Sequence, residues 1–368
     1  MQTSGDLLHT VTTQDIPPGR VALGRALIWG SFAVLVGLAL LQSLHVLGLS
    51  SAGFENWRPI LYAYVLWAVC LCWGKVLSTG EPGKRALFVL PAVLFVVSMV
   101  VFPLLFGLMI AFSDWNLASL DGRKFNGLDN VRQMWADPFY WNALRNMIYY
   151  VLAIAGEYVV AFGLALLLSQ QFRARKFFRI AFLMPLMLSP VAVSWMIGKS
   201  MMEVRFGPLS NLARQLGWEN PAFFANAYSG RTSIMLLDAW TWIPLMMVIL
   251  LAGLQSLDKE VIEAARVDGA SRWQTFREVI FPLMLPVTIT AVLIRVIFKL
   301  KLADIIINVT SGGPGGATDS VTSFIYREYR DRSNVGYGTL LAMVYLVIII
   351  IFMTLLIKFI NRFLQRPV

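Results

Sequence analysis

Ionisable side chains are rare in the long apolar stretches of this 368-residue chain, and those that occur there are the first candidates for chemistry. Arg295 and Lys299 lie four residues apart in one such stretch. On a helix they share a face, where like charges repel each other. They therefore need water, a counter-charge or a polar solute, and Glu157 in another apolar stretch is a candidate counter-charge.

A second charged pair follows directly. Lys301 and Asp304 are three residues apart and opposite in sign, so on one helix they can satisfy each other. This pattern favours a structural pair over a solute-binding one. Asn308, near the end of the same stretch, is a further polar candidate.

Aromatic residues beside a proline form the next candidate group. Trp240, Thr241 and Trp242 precede Pro244, and a proline inside an apolar helix frees backbone groups that can line a cavity. Indole faces cover the C–H groups of a sugar, while polar atoms bind its hydroxyls. The same residues fit an aromatic belt at a membrane surface equally well.

The residue types count against several other kinds of chemistry, although an ion-coupled secondary transporter remains an alternative. An intramembrane enzyme needs clustered histidines and carboxylates, and the sequence has no such cluster in its apolar stretches. An ion-coupled transporter needs a carboxylate relay, for which only Glu157 and Asp238 are candidates. Cys70 and Cys72 point in different directions on a helix, so they indicate neither a disulfide framework nor a metal site.

The tripeptide Gly198-Lys199-Ser200 looks like the end of a phosphate-binding loop. That loop also requires a glycine five residues earlier, where this chain has Val193, and it must follow a strand rather than an apolar run. The sequence therefore predicts no ATPase site in this chain, and no bound cofactor or metal.

The elements that hold these residues are predicted to be membrane helices. The chain is 58% hydrophobic and 14% charged, whereas soluble domains are about 25% charged. A bilayer is crossed by about 20 mostly apolar residues. Eight such runs lie near 24–48, 59–78, 86–112, 143–169, 179–201, 233–256, 283–305 and 339–361. This predicts an all-α polytopic membrane protein with eight transmembrane helices.

Basic residues flank these runs rather than forming a basic face with interleaved aromatics, so the net charge of +10 does not indicate nucleic-acid binding. They crowd short connections such as 173–179 and 75–85. The positive-inside rule then places these connections, both termini and a tail of residues 1–22 in the cytoplasm. The segment 258–281 falls on the same side.

The segment 258–281 is charged and helix-like, although it lies between two apolar runs. Asp258 is a predicted N-cap, and Gly269 is predicted to end a helix in the left-handed conformation. Ser271 and Gln274 have the spacing of a capping box. The pattern predicts a short helix, a sharp turn and a second amphipathic helix that enters the membrane. Such a segment fits an interfacial connector or a rigid knob that contacts a soluble partner.

The run Glu263-Ala264-Ala265, followed after two residues by Asp268-Gly269-Ala270, resembles the EAA signature of permease subunits of ABC importers. The stretches 308–326 and 206–217 are similar to loops of the maltose-type carbohydrate importers. The resemblance covers about residues 86–362. It implies a type I (MetI-like) six-helix permease core at 81–368, preceded by two additional transmembrane helices at 23–80.

The resemblance also implies partners and a mechanism. The segment 258–281, called the coupling segment below, would rest in a groove on a cytoplasmic ATPase subunit, with Glu263 and Gly269 at the positions that matter most. The implied complex contains a second permease, two ATPases that bind ATP and Mg, and a substrate-binding protein outside a bacterial inner membrane. Membrane lipid surrounds it, and nucleic acid has no part.

Finally, the resemblance implies a solute path for a carbohydrate or small polyol. The sugar-contacting positions of the maltose-type subunit correspond here to Thr241, Trp242, Leu245, Arg295, Phe298, Lys299 and Leu302. Two cations among them favour an anionic sugar derivative such as glycerol 3-phosphate, or a small polyol that accepts hydrogen bonds. If Glu157 pairs with either cation, the argument for an anionic solute fails.

Overall fold

The structure is a computed structural model that describes residues 16–46, 48–120 and 122–364. The predicted cytoplasmic tail therefore lies largely outside the described residues, as do the last four residues of the chain. The chain divides into two compact units, one that ends at Met109 and one that begins at Ile110.

The first unit contains helices α1 (Pro18–Val46) and α2 (Arg58–Thr79) and most of α3 (Glu81–Ala111). Helices α1 and α2 approach closely because Gly24 and Gly74 face each other. A Cβ on either glycine would lie 2.7 Å from the carbonyl oxygen of the other, so a larger residue at either position would separate the helices.

The described part of the second unit is helical apart from one short hairpin and an isolated bridge between Asn116 and Asn334. Its elements are β1 (Ser113–Asp114), β2 (Lys124–Phe125), α4 (Asp129–Ala136), α5 (Pro138–Ser169), α6 (Arg175–Leu183), α7 (Pro190–Val193), α8 (Pro208–Gln215), α9 (Ala227–Ser256), α10 (Lys259–Val267), α11 (Arg272–Gln274), α12 (Phe281–Leu300), α13 (Asp304–Val309), α14 (Val321–Arg330) and α15 (Val335–Leu364). The strands pair antiparallel, with Ser113 opposite Phe125. The segments Ser194–Met201 and Thr275–Ile280 are π-helical, and Met184–Met187 is a 3₁₀ turn.

Within the described residues, seven helices are long and apolar enough to cross a membrane: α1, α2, α3, α5, α9, the continuous run Arg272–Leu300 and α15. An eighth crossing is a bent pair, Arg175–Met187 and Pro190–Met201, whose halves meet at 97°. The prediction of an all-α polytopic membrane protein with eight crossings is therefore confirmed when the bent pair counts as one span.

The fifth predicted span, 179–201, differs from a straight helix for a local reason. Ser189 has an extended backbone with ψ of 148°, and its hydroxyl accepts a hydrogen bond from the amide of Ala192 at 3.2 Å. Pro190 follows at the first position of α7, where a proline is tolerated. A proline also disfavours a helical conformation of the residue before it, so the helix upstream cannot run on through Ser189. Hydrophobicity alone predicted the length of this span but not its break.

The core of the second unit forms where α5, α9 and α12 pack together. Apolar residues such as Ile154, Leu250 and Ala291 are buried there.

Near its start, α5 also contacts the glycine-rich turn between α13 and α14. The side-chain amides of Asn142 and Asn146 donate to Gly316 O at 2.7 Å and Asp319 O at 2.9 Å. These contacts fix the turn on one face of α5, since residues four apart on a helix are neighbours.

Candidate solute pathway and coupling segment

Three helices of the core each contribute charged side chains to one buried cluster. Arg295 and Lys299 lie on one face of α12, as their spacing predicts. Glu157 of α5 accepts a hydrogen bond from Arg295 Nε at 2.6 Å through Oε2 and from Lys299 Nζ at 2.8 Å through Oε1. Asp238 of α9 accepts hydrogen bonds from Arg295 Nη2 and Lys299 Nζ. These four residues are called the charge quartet below.

The charge quartet is buried almost completely. Its members have relative exposures of 4% or less, and the side chain of Lys299 has none. Two positive and two negative charges balance, and each cation bonds both carboxylates. This arrangement offsets the cost of removing charges from water. Both cations thus have protein counter-charges, and the argument from unpaired cations for an anionic solute does not hold.

A cavity of about 240 Å³ lies beside the charge quartet, between α9, α12 and the start of α13. It is called the aromatic cavity, and it is lined by Pro190, Asp238, Trp242, Phe298, Lys301, Leu302, Ala303, Asp304 and Ile305. The rings of Trp242 and Phe298 stack with centroids 4.4 Å apart. Ligand pockets usually have volumes of about 300–1,000 Å³, so in this conformation the cavity fits one small ring or polyol.

The structure places the predicted solute-pathway residues in two groups. Trp242, Phe298 and Leu302 line the aromatic cavity. Thr241 and Leu245 do not: Thr241 is buried, and its hydroxyl donates to Leu237 O at 3.0 Å. Their assignment to solute contact, like that of Arg295 and Lys299, stays a prediction.

The expected pairing of Lys301 with Asp304 is wrong. Although both residues line the aromatic cavity, the ion pairs of the described residues do not join them. Helix α12 ends at Leu300, and Asp304 begins the separate helix α13, so the two residues are not three positions apart on one helix. Asn308 lies on α13 and donates to Asp304 O at 2.7 Å rather than lining the cavity.

Asp238 is the functional candidate that sequence reasoning undervalued. Its residue type suggests only a possible relay carboxylate, yet it both closes the charge quartet and lines the aromatic cavity. Its position four residues before Trp242 places the two on one face of α9, and this spacing is the signal that sequence reasoning had available.

The coupling segment has the predicted local structure. Asp258 caps α10 by accepting a hydrogen bond from the Glu260 amide at 3.0 Å. Gly269 has a φ of +83°, which ends the helix in a sharp turn. Ser271 and Gln274 form both hydrogen bonds of a capping box at the start of α11. From α11 the chain continues through the π-helical segment Thr275–Ile280 directly into α12.

The tip of the coupling segment is exposed. Glu263, Ala264, Asp268 and Gly269 are all exposed, and Ala265 and Ala270 are half-buried. Val267 beside them is 87% exposed. The segment therefore presents both a carboxylate and an apolar contact at one protruding turn.

A polar groove of about 670 Å³ lies between the coupling segment and the connection after α5. Glu263 lines it opposite Arg175 and Arg179, with Lys259 and Arg266 on its own side. Arg175 Nε is fixed by Leu168 O at 2.6 Å. The basic residues that predicted the orientation of the chain thus surround the carboxylate of the EAA-like motif.

A helical membrane protein with a protruding helical turn and a small aromatic cavity between its spans has the architecture of a transport subunit. Residues 134–368 match the family described as "Binding-protein-dependent transport system inner membrane component". The match covers more than half of the chain, so the protein belongs to this family, and its resemblance to the ABC importer permeases is confirmed. It is accordingly a multi-pass protein of the inner membrane.

Two relatives and one solved structure illustrate the similarity. The chain is 30% identical over 272 residues to a probable ABC transporter permease protein of Pyrococcus horikoshii, covering 72% of this chain and 91% of the relative. It is 29% identical over 273 residues to the sulfoquinovosyl glycerol transport system permease protein of Agrobacterium fabrum, covering 74% and 88%. A bacterial alginate ABC transporter, crystallised in complex with its alginate pentasaccharide-bound periplasmic protein, has a chain of the same fold, with a TM-score of 0.65, 17% identity and coverages of 86% and 100%.

Proposed function

We propose that this chain is the permease subunit of an ATP-driven importer for a neutral carbohydrate or small polyol, and that it forms half of the translocation pathway. The observation that carries the solute class is the aromatic cavity. Its stacked Trp242 and Phe298 suit the C–H face of a sugar or polyol, and the nearby cations Arg295 and Lys299 are already neutralised. A neutral solute needs no further counter-charge there.

The coupling segment supports the other half of the proposal. A rigid, capped turn with an exposed carboxylate at Glu263 and an exposed Val267 fits a groove on a soluble ATPase. We take the ATPase, which binds ATP and Mg, to be a separate subunit that drives the helices between outward-open and inward-open states. Work is transmitted only if the ATPase binds these states with different free energies.

Uptake into membrane vesicles tests the proposal. The chain is expressed with its partner permease, ATPase and binding protein, and uptake of radiolabelled maltose and glycerol is measured. We expect uptake that requires ATP and survives an ionophore that collapses the ion gradients. Uptake that continues without ATP and stops with the ionophore would instead establish an ion-coupled secondary transporter.

A second candidate is an importer for an anionic sugar derivative. The observation that favours it is the sulfoquinovosyl glycerol permease among the relatives, because sulfoquinovosyl glycerol carries a sulfonate. The same vesicles distinguish the two candidates. If the vesicles take up sulfoquinovosyl glycerol but neither maltose nor glycerol, the importer transports an anionic sugar derivative rather than a neutral solute.

A further inference from the structure

Asp238 is the one member of the charge quartet that also lines the aromatic cavity. The other three members are absent from the lining of the cavity. A solute in the aromatic cavity therefore reaches the charge quartet through Asp238.

The two carboxylates of the charge quartet use their oxygens differently. Glu157 bonds Arg295 through Oε2 and Lys299 through Oε1, so both of its oxygens are engaged. Asp238 accepts both cations through the same oxygen, Oδ2. In the described part of the chain no donor reaches Oδ1 of Asp238. This oxygen is therefore available to accept a hydrogen bond.

The surroundings of Asp238 define what such an acceptor can bind. Trp242, one turn further along α9, lines the cavity together with Phe298, on which its ring is stacked, and this aromatic wall suits aliphatic C–H groups. Lys301 and Asp304 at the rim balance each other in charge. A hydroxyl group is the donor that matches a carboxylate oxygen in this setting, whereas an anionic group such as a sulfonate has no hydrogen to donate to it.

We propose that Asp238 is a solute-binding and specificity-determining residue, which accepts a hydrogen bond from a hydroxyl of a neutral polyhydroxylated solute through Oδ1 while Oδ2 holds the charge quartet together. This inference rests on the proposed function. Because Asp238 also joins α9 to α12, occupancy of the cavity acts directly on the contact between two helices that must rearrange during transport.

The test uses Asp238→Asn with Glu157→Gln as its matched control, in the full complex in vesicles. Each change removes one negative charge from the charge quartet, but only Asp238 faces the cavity. The measured quantity is the number of maltose or glycerol molecules taken up per ATP hydrolysed. We expect Asp238→Asn to lower this ratio about 10-fold, since hydrogen bonds to charged groups are the strong ones. Glu157→Gln should change uptake and ATP hydrolysis together and leave the ratio within about 2-fold of wild type.

A single charge change in the buried quartet could prevent folding, so the test also uses double variants in which the remaining charges balance. Asp238→Asn combined with Lys299→Met, and Glu157→Gln combined with Lys299→Met, each keep one carboxylate paired with Arg295. They differ in whether the remaining carboxylate faces the cavity. Asp238→Glu, which keeps a carboxylate at the cavity, should retain most of the wild-type ratio.

Three outcomes are decisive. A low ratio confined to the variants that lack the Asp238 carboxylate supports the inference. Equal ratios in the Asp238 and Glu157 variants, with normal uptake by the wild type, overturn the inference and leave the proposed function intact. No ATP-dependent uptake of maltose or glycerol by the wild-type complex overturns the proposed function, and the inference with it.

Discussion

Each cation of the charge quartet contacts two carboxylates, so removal of any one side chain leaves an unbalanced charge in the core. Losing one partner of a buried ion pair typically costs about 3–5 kcal/mol, whereas replacing the whole pair by apolar groups costs little. The stability of the protein should therefore fall more when one charged residue of the quartet is replaced than when a cation and a carboxylate are replaced together.

We expect Arg295→Met to lower the unfolding temperature of the purified protein strongly, by the equivalent of about 3 kcal/mol or more. Arg295→Met combined with Glu157→Gln should recover most of this loss, because Asp238 and Lys299 then remain as a neutral pair. Thermal unfolding in detergent measures both variants. A double variant no more stable than the single one would contradict a role for charge balance.

A further buried carboxylate, that of Asp319, lies outside the spans, in the turn between α13 and α14. Burial raises the pKa of Asp319 to about 6, although Arg327, which donates to Asp319 Oδ2, acts in the opposite direction. The pKa of an aspartate in an unfolded chain is about 3.9. Because the folded-state pKa is the higher one, its contribution to stability is complete below about pH 4 and is lost as the pH rises through about 6.

Asp319→Asn removes this titration. We expect the unfolding temperature of the wild type, relative to that of Asp319→Asn, to fall between pH 4 and pH 7. The change corresponds to at most about 3 kcal/mol, since one pKa unit equals about 1.4 kcal/mol. Melting curves at several pH values provide the measurement, and a difference independent of pH would show that Asp319 keeps an ordinary pKa.

At the scale of the elements, the turn of the coupling segment depends on the backbone conformation of one residue. Gly269 has a positive φ, yet a Cβ added there would meet no atom within 4 Å. The cost of Gly269→Ala is therefore conformational rather than steric, about 1–2 kcal/mol. We expect this variant to insert normally but to co-purify less ATPase. Gly269→Asn should be milder, because asparagine tolerates the left-handed region better.

Gly163→Ala is the control for Gly269→Ala. Gly163 lies within α5, where an added Cβ also meets no atom within 4 Å but the backbone is helical. This variant should bind the ATPase as wild type does. Equal ATPase binding by the two variants would show that the shape of the turn at Gly269 is unimportant.

Charge at the tip of α10 is tested separately. Glu263→Lys adds a cation to a groove already lined by Arg175, Arg179 and Lys259, and it removes the carboxylate offered to the ATPase. We expect an inserted protein that retains little ATPase on affinity purification. Glu260→Lys, on the same helix and also exposed, is the matched control. Similar ATPase binding by both variants would remove Glu263 from the coupling role.

Sequence reasoning succeeded where local patterns determine structure. Asp258, Gly269 and the Ser271 capping box act within a few residues, so their sequence spacing is sufficient to predict the bent helix pair. The charge quartet was only partly predictable. The spacing of Arg295 and Lys299 showed that a counter-charge was needed, but the register of α5 and α9 against α12 decides which carboxylates supply it. The end of α12 at Leu300, which separates Lys301 from Asp304, also depends on tertiary packing.

For the whole molecule, eight crossings imply that residues 258–281 and the chain after α13 lie on opposite sides of the membrane. The positive-inside rule assigns the former to the cytoplasm. In a background in which Cys70 and Cys72 are replaced by alanine, Ser271→Cys should resist a membrane-impermeant maleimide in intact cells. Asp331→Cys, which is also exposed in the structure, should react with it. The reverse labelling would invert the topology.

The balanced charges of the quartet also determine how the protein responds to membrane voltage. A net charge that crosses a potential of 100 mV gains or loses about 2.3 kcal/mol, which is why voltage sensors carry unpaired arginines. The charge quartet carries two positive and two negative charges, so the field performs no net work on it when the helices that hold it rearrange together. With a neutral cargo, the transport cycle is expected to be electrically silent at this site, and its rate should stay the same whether the cell is polarised or depolarised.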